Sequence, residues 1–420
     1  MIIGAIADDV TGGTDVAVAF RRQGLRTALF FGVPPQAADL AETDAVVVAL
    51  KTRTVPAATA VDEALSAARW LRENGAPQLY FKYCSTFDST PAGNIGPVLD
   101  SLTDLVGAGR VVQTPSSPEH GRTQYSGTLF VHGVLLQESP MRNHPLTPMR
   151  DSYLPRLMDQ QARHTSAIIP LTAISEGTEA VSNVIRKLNR DAHYLFADAI
   201  TDSDLLTVAR SIKRDALIAG GAGLAGALGA AHVEELAPSS SRTLSPGLSS
   251  DARSAVLAGS CSHRTLEQVG QMLSQGRPAH RLDALQTPDA TALADQALQW
   301  VDALPSDAPA PMVYSSLPPT QLHKVQEALG VQESADILES AIGQVAAGLA
   351  ARGFTRFVAA GGETSGAIVA SLGIQGGIVG SEAARGVPWI HTTNGMDVLL
   401  KSGNFGEPDL LVRASEASAA

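Results

Sequence analysis

Only two cysteines, Cys84 and Cys261, occur in the 420 residues. Two distant thiols supply neither a disulfide framework nor a zinc quartet, so a reducing interior is expected. Aromatic residues make up 5% of the chain, and no apolar run approaches the roughly 20 residues of a membrane-spanning helix. Basic residues are in deficit: Lys plus Arg number 31 against 42 for Asp plus Glu, a net charge of −11. That sign argues against nucleic acid or an anionic membrane as the main partner, while leaving room for a local basic pocket that takes a small acid. The apolar start Met1 to Ile6 has no basic lead and runs into Asp8 and Asp9. It reads as a first strand and not as a signal peptide, and a cytoplasmic protein is expected. Two phosphate-binding signatures are also missing. Without Gly-x-x-x-x-Gly-Lys-Ser/Thr the Walker loop is excluded, and without Gly-x-Gly-x-x-Gly in the first strand–helix turn a nicotinamide dehydrogenase is disfavoured.

What is present suits an α/β enzyme. Short apolar runs at residues 2–6, 27–31, 45–50, 79–82, 166–171, 193–197 and 216–219 alternate with longer amphipathic stretches, the rhythm of a mostly parallel sheet with crossover helices. The length exceeds what one core usually serves, so two domains are expected. A polar, Pro- and Gly-containing stretch from Pro238 to Ser250 reads as a linker, after which a new strand at 254–258 begins a second α/β unit. The boundary falls near residue 245, giving domains 1–240 and 250–420, each with a mostly parallel sheet flanked by helices. Gly220 to Gly226 is read as tight helix–sheet packing, with a nucleotide turn as the alternative. The Ser/Ala-rich tail from Ala414 to Ala420 is expected to fray.

The densest chemistry of the C-terminal half lies at Gly361-Gly-Glu-Thr-Ser-Gly366, where an apolar strand meets paired glycines and then a helix start. Gly361 and Gly362 let a ligand approach the backbone, and the amides and positive end of the following helix favour an anion, phosphate above all. Gly259-Ser-Cys-Ser262 and Lys401-Ser-Gly-Asn-Phe-Gly406 repeat the chemistry. In a parallel sheet such turns gather at the carboxyl ends of the strands and together predict a nucleotide site. Lys401 is read either as a point charge for a phosphate or as a solvated loop lysine.

In the N-terminal half, Asp8 and Asp9 end the first strand at a helix start, where a carboxylate can take a proton from a hydroxyl, hold magnesium, or cap the helix. The loop from Lys82 to Pro97 supplies a lysine, hydroxyls that include Ser85 and Thr86, and Asp88, a mixture suited to a polyol carboxylate. Arg53 could clamp a carboxylate with both arms of its fork. The Pro- and Gly-containing stretch from Gly121 to Met149 is expected to be a long ordered loop. Its histidines, with His120, are spaced too widely to imply a metal site, and His144 stands out because Arg142 and Asn143 adjoin it.

The segments Ile6 to Asp15, Phe81 to Pro91, Gly93 to Gly96, Gly121 to Thr123, His144 to Met149, Gly361 to Gly366 and Lys401 to Gly406 resemble those of the four-carbon acid sugar kinases. The resemblance runs from the first strand almost to the C-terminus. It implies an N-terminal acid-sugar-binding domain and a C-terminal nucleotide-binding domain, with ATP and Mg²⁺ used to phosphorylate a terminal hydroxyl in a cleft between them. The implied acceptor is 3-oxo-tetronate, with threonate, erythronate or a branched relative as alternatives. Nucleotide contacts would fall on Ser260, Gly361, Gly362, Glu363, Thr364 and Gly403. Asp8 or Asp9 would act as base, with Asp9 nearer the turn. The substrate side would be Arg53, Lys82, Ser85, Thr86, Asp88, Arg122 and His144. One departure precedes Gly121, where the family often carries Ala-Phe-Pro and this chain has Ser116-Ser-Pro-Glu-His120. Rival readings are an aldolase with Lys82 as a Schiff base, a dehydrogenase, or a regulator that binds nucleotide and sugar acid without turnover. Apolar surface along an α/β sheet edge commonly supports a homodimer.

Overall fold

The computed structural model describes all residues except 35–39, 41, 145–146, 237–242 and 417–420. Part of the expected linker and most of the expected frayed tail lie outside the described residues. The chain divides into two compact units, Met1–Leu244 and Ser245–Ala420.

The strands of the first unit are β1 (Ile3–Ala7), β2 (Thr27–Phe31), β3 (Ala45–Ala49), β4 (Gln78–Lys82), β5 (Val111–Thr114), β6 (Arg122–Tyr125), β7 (Thr128–Val131), β8 (Val134–Leu135), β9 (Ser166–Ile169), β10 (Tyr194–Ala197) and β11 (Leu217–Gly220). Its main sheet runs β2-β3-β1-β4-β11-β5-β10-β9, and every pairing in it is parallel. Helices cover both faces, which is why β1, β3 and β4 are buried at every position and read as unbroken apolar runs. The chain goes from β1 to β2 and β3 on one side of β1, then crosses to β4 on the other. The loops that follow β1, β3 and β4 therefore open at one topological switch point.

The second unit contains β12 (Arg253–Ala258), β13 (Ala279–Arg281), β14 (Met312–Tyr314), β15 (Phe354–Ala360), β16 (Gly376–Ala384), β17 (Val387–Thr392) and β18 (Asp397–Lys401), in the order β13-β14-β12-β15-β18-β17-β16. The first five in that order are parallel, and β17 and β16 are added antiparallel. Its core joins β12, β15 and β18 to the helices His263–Ser274 and Leu410–Glu416 through Met272, Val358, Leu399 and Leu411.

Three expectations need correction. The stretch from Gly121 to Val131 is no loop: β6, β7 and β8 form a small antiparallel sheet. Its turns Ser126-Gly127 and His132-Gly133 all have positive φ, the mirror-image turns that suit a hairpin's twist. Ala414 to Glu416 do not fray but close a helix whose apolar face is buried. β5, β13, β14, β16 and β17 were also absent from the strands read in the sequence. The Gly220 to Gly226 cluster is packing, as expected: side chains at Gly221 and Gly223 would run into the carbonyls of Pro115 and Ser116, each at 2.7 Å. Among the described residues no helix is long and apolar enough to cross a membrane.

Gly220 has φ +148, and any Cβ there would strike the Thr114 carbonyl. Gly220→Ala is expected to lower unfolding stability by about 2 kcal/mol or more through strain and collision together. Chemical denaturation of the variant against the native chain checks this.

Candidate active site

β1 ends at Ala7, so Asp8 and Asp9 both lie beyond the strand and escape its alternation. Asp9 caps the Val10–Arg22 helix by accepting from the Gly12 amide at 2.8 Å. Arg53, in the loop after β3, reaches both acids. Its Nε and Nη2 donate to Asp8 at 3.0 and 2.8 Å, and Nη2 lies 2.7 Å from Asp9 Oδ1. Burial opposes the guanidinium charge, but hydrogen bonding and proximity to Asp8 more than offset it and hold the Arg53 pKa above its ordinary value. Both Asp8 oxygens are thus engaged by Arg53. Asp9 Oδ2 and Arg53 Nη1 carry no hydrogen bond among the described residues. The fork expected to clamp a substrate carboxylate is spent mainly on holding the two aspartates.

Lys82 closes β4 and is buried, with Nζ donating to the Tyr83 carbonyl at 2.8 Å. A side chain at Gly12 would stand 2.9 Å from that Nζ, so glycine is what lets the lysine lie beside the helix start. In the following loop Thr86 Oγ1 donates to Asp88 Oδ1 at 2.5 Å and Cys84 Sγ to Asp88 Oδ2 at 3.0 Å. Burial, and then the Asp88 charge, push the Cys84 thiol up to about 11. Thr86 and Asp88 therefore knit the loop, whereas half-buried Ser85 carries no side-chain bond among the described residues. Phe87 is fully buried at φ 52, a conformation that bulky side chains avoid and that a binding loop tolerates when its neighbours fix it.

Two residues outside the expected set complete the cluster. Asn94 Nδ2 donates to the carbonyls of Thr52, Arg53 and Val55 at 2.6, 3.2 and 3.3 Å, fastening the arginine loop to the helix that follows the lysine loop. The sequence signal was Gly93-Asn-Ile-Gly96, where a side chain at Gly93 would meet the Thr90 carbonyl at 2.8 Å. Asp15 is half-buried on the Val10–Arg22 helix and makes no hydrogen bond or ion pair among the described residues. Burial raises its pKa, while Lys82 and His120 pull it down. The sequence placed Asp15 in the motif but could not show that His120 and Lys82 act on it.

Arg122 and His144 are less closely tied. Arg122 Nη1 donates to the His120 carbonyl and lies 3.4 Å from His132 Nε2. Glycine at 121, with φ +70, leaves room for the His132 ring. His144 Nδ1 accepts from Thr147 at 3.1 Å from the amide and 2.9 Å from the hydroxyl, and no bond among the described residues joins it to the Asp8 cluster. Pro145 and Leu146, within its motif, lie outside the described residues. Ser116 and Ser117, at the departure from the family pattern, are buried, and Ser117 Oγ lies 2.9 Å from His120 Nδ1.

In the second unit the three glycine turns do converge. A side chain at Gly361 would meet Ser260 N at 3.1 Å, one at Gly403 would meet Ser260 Oγ at 2.6 Å and Ser262 Oγ at 2.9 Å, and one at Gly259 would collide with Thr364 Oγ1. The Gly362–Ser371 helix has no side-chain cap, and the amides of Gly362, Glu363 and Thr364 donate to nothing among the described residues. Gly362 and Glu363 are exposed, and nothing lies within 4 Å of where a Gly362 side chain would be. Uncapped amides at a positive helix end, facing open space, are built for an anion. Lys401 does not join them as a free charge. It is buried, and its Nζ donates to Thr265 Oγ1, Ser402 O and Gly403 O at 2.9, 3.1 and 2.8 Å. All three protons are occupied in shaping the Gly403 turn, so Lys401 is not the solvated loop lysine that was one of the two expectations. Burial, with Arg264 nearby, lowers its pKa to about 8.

An acid, arginine and lysine cluster at the switch point of one parallel sheet, and three glycine turns at the strand ends of another, define a protein with separate sugar-binding and nucleotide-binding domains. Residues 3–228 match the family model described as a sugar-binding N-terminal domain, and residues 255–411 match the one described as a nucleotide-binding C-terminal domain. The chain belongs to the four-carbon acid sugar kinase family. It is 42% identical over 409 residues to the 3-oxo-tetronate kinase of Brucella melitensis, covering 97% of this chain and 93% of that protein. The 3-oxo-tetronate kinase of Burkholderia multivorans is 42% identical over 422 residues, covering 99% and 97%. Among solved structures, a Haemophilus influenzae protein superposes with a TM-score of 0.89 at 39% identity, covering 98% of each chain. A Salmonella typhimurium protein described as a putative tRNA synthase gives 0.91 at 39% identity and the same coverage.

The electrostatics of Asp15 give a signed test. Its folded pKa is raised, so the folded chain holds this proton more tightly than the unfolded chain does. The stability it contributes is fully present below the unfolded value and is lost as pH rises through the folded one. Asp15→Asn cannot ionise. Its stability relative to the native chain is therefore expected to improve as pH rises from about 4 to 7, and thermal melts across that range would contradict the assignment if the trend reversed.

Proposed function

We propose that this protein is an ATP-dependent kinase that phosphorylates the terminal hydroxyl of a four-carbon acid sugar, with 3-oxo-tetronate as acceptor and 3-oxo-tetronate 4-phosphate as product. The observation that carries the reading is the full-length similarity, at 42% identity, to two relatives named 3-oxo-tetronate kinase. The site chemistry agrees with it at both ends of the reaction.

In this reading residues 1–240 bind the acid sugar and residues 250–420 bind ATP. The acceptor's carboxylate is drawn to Lys82 Nζ and the free Nη1 edge of Arg53, with Ser85, Arg122 and His144 as further polar contacts. Thr86 and Asp88 hold the loop's shape. Asp9 takes or orients the hydroxyl proton through the oxygen that neither the helix cap nor Arg53 uses, and Asp8 keeps Arg53 in place. The phosphates of ATP lie on the amides of Gly362, Glu363 and Thr364, with Gly361, Ser260 and Gly403 lining the approach. Phosphoryl transfer needs in-line positioning and neutralised charge more than covalent help, and the cationic groups on the sugar side and the amides on the nucleotide side suit charge neutralisation. Among the described residues no group of three or more His, Cys, Asp or Glu side chains is placed to hold a metal ion. Magnesium, when bound, would bridge phosphate oxygens and neutralise their charge during transfer.

Asp9→Asn is expected to lower kcat by at least about a hundredfold while leaving ATP affinity within twofold of native, as read by ADP release and by calorimetry. Asp8→Asn is expected to lose turnover too, by releasing Arg53. Near-normal turnover in both variants would defeat the base assignment. Screening the native chain with ATP against 3-oxo-tetronate, threonate, erythronate and branched four-carbon acids tests the substrate. Binding without substrate-dependent ADP release would instead favour a regulator.

A further inference from the structure

The loop that follows β5 is tied to the Val10–Arg22 helix. Its short helical turn, Pro118–His120, is fastened to the last turn of that helix by an ion pair between Glu119 and Arg22 at 3.2 Å. The backbone of His120 is held from both sides: its amide donates to the Ser117 carbonyl at 2.8 Å, and its carbonyl accepts from Arg122 Nη1. The ring is held as well. Ser117 is buried, and its Oγ lies 2.9 Å from His120 Nδ1. The imidazole itself is exposed, and its Nε2 carries no bond among the described residues.

Asp15 stands between this ring and the Lys82 cluster. It lies one turn beyond Gly12 on the same face of the helix, about 4.5 Å along the axis, and a side chain at Gly12 would be 2.9 Å from Lys82 Nζ. The tie between Arg22 and Glu119 is seven residues further on, roughly 10 Å. Lys82 therefore approaches Asp15 from the helix start and His120 from the opposite side. Burial opposes the Asp15 charge, while Lys82 and then His120 favour it, as charges within short range of the acid do. With the acceptor's carboxylate at Lys82 and its terminal hydroxyl at Asp9, the oxygens on the two interior carbons are left to Asp15 and His120. An oxo oxygen can only accept a hydrogen bond, whereas a hydroxyl can donate or accept. An ionised carboxylate offers acceptors alone, so of these two side chains the imidazole is the one that can serve an oxo group.

We propose that His120 determines acceptor specificity: Ser117 donates to its Nδ1, the ring proton stays on Nε2, and that N–H donates to the oxo oxygen beside the reacting carbon while Asp15 accepts from the neighbouring hydroxyl. The inference rests on the kinase reading above and deepens it by assigning what separates a 3-oxo acid from its 3-hydroxy relatives. Both residues lie in the stretch from Ser116 to His120 where the chain departs from the pattern common in its family. Ser117 is a positioning residue, because its hydroxyl is buried and acts on the acceptor only through the ring.

The test uses the full-length protein, with ADP release from ATP and 3-oxo-tetronate for turnover and calorimetry with 3-oxo-tetronate and with threonate for binding. His120→Ala is expected to raise the KM for 3-oxo-tetronate about tenfold or more with kcat within threefold of native. Its affinity for 3-oxo-tetronate falls by the same factor, while threonate, whose hydroxyl can donate to Asp15 instead, stays within threefold. His120→Gln keeps an N–H donor and is expected to recover most of the loss, and Ser117→Ala to give a smaller shift in KM of the same sign. The ring is exposed, so both changes at His120 carry little risk to folding. An unchanged KM in His120→Ala overturns the proposal, as does an equal loss for the two acids or a fall in kcat alone. In each of those cases ADP release by the native chain leaves the kinase reading standing. A native chain that releases no ADP with 3-oxo-tetronate removes that acceptor and this assignment with it.

Discussion

Arg53 is the tie on which the sugar-side cluster depends. One guanidinium spans two carboxylates from a different strand end, and Asn94 fastens the loop that carries it. Its fork engages both oxygens of Asp8 and comes within ion-pair distance of Asp9 Oδ1. Both Asp8 oxygens are engaged by the arginine, whereas Asp9 Oδ2 carries no bond among the described residues. The two neighbouring acids thus have different surroundings, set by which oxygens the arginine and the helix cap engage.

The nucleotide side uses the opposite device. There the shaping groups are glycines, needed because Ser260, Ser262 and Thr364 approach the backbone within contact distances that admit no Cβ. Lys401 works beneath the turn, neutralising carbonyl dipoles so that the chain can fold back on itself with its amides outward. Buried cations serve both halves in this sense, Lys82 next to a helix start and Lys401 beneath a glycine bend. Only the first has protons left to offer.

Much of this was legible in the residue order. The apolar runs located most of the parallel strands, because strands buried on both faces leave an unbroken signature, and Gly361 to Gly366 announced a strand-to-helix junction with an uncapped helix start through its paired glycines. What could not be read were features decided by partners distant in sequence. β13 and β14 have three residues each, too few for a periodic signal. The β6 to β8 hairpins hid behind Ser-Gly and His-Gly turns, where the first residue of each takes a positive φ usually left to glycine or asparagine. Arg53 looked like a clamp for a ligand and Lys401 like a free charge because sequence does not reveal which acceptors a side chain has already met.

The loop that carries Lys82 also contains one of the two thiols. Cys84 is held as a donor to Asp88, and its pKa near 11 keeps it in the protonated form at cellular pH. A protonated, hydrogen-bonded sulfur is a poor nucleophile toward electrophiles and peroxide. The thiol at the centre of the loop after β4 is thereby kept in its less reactive form by burial and by the hydrogen bond it donates to Asp88.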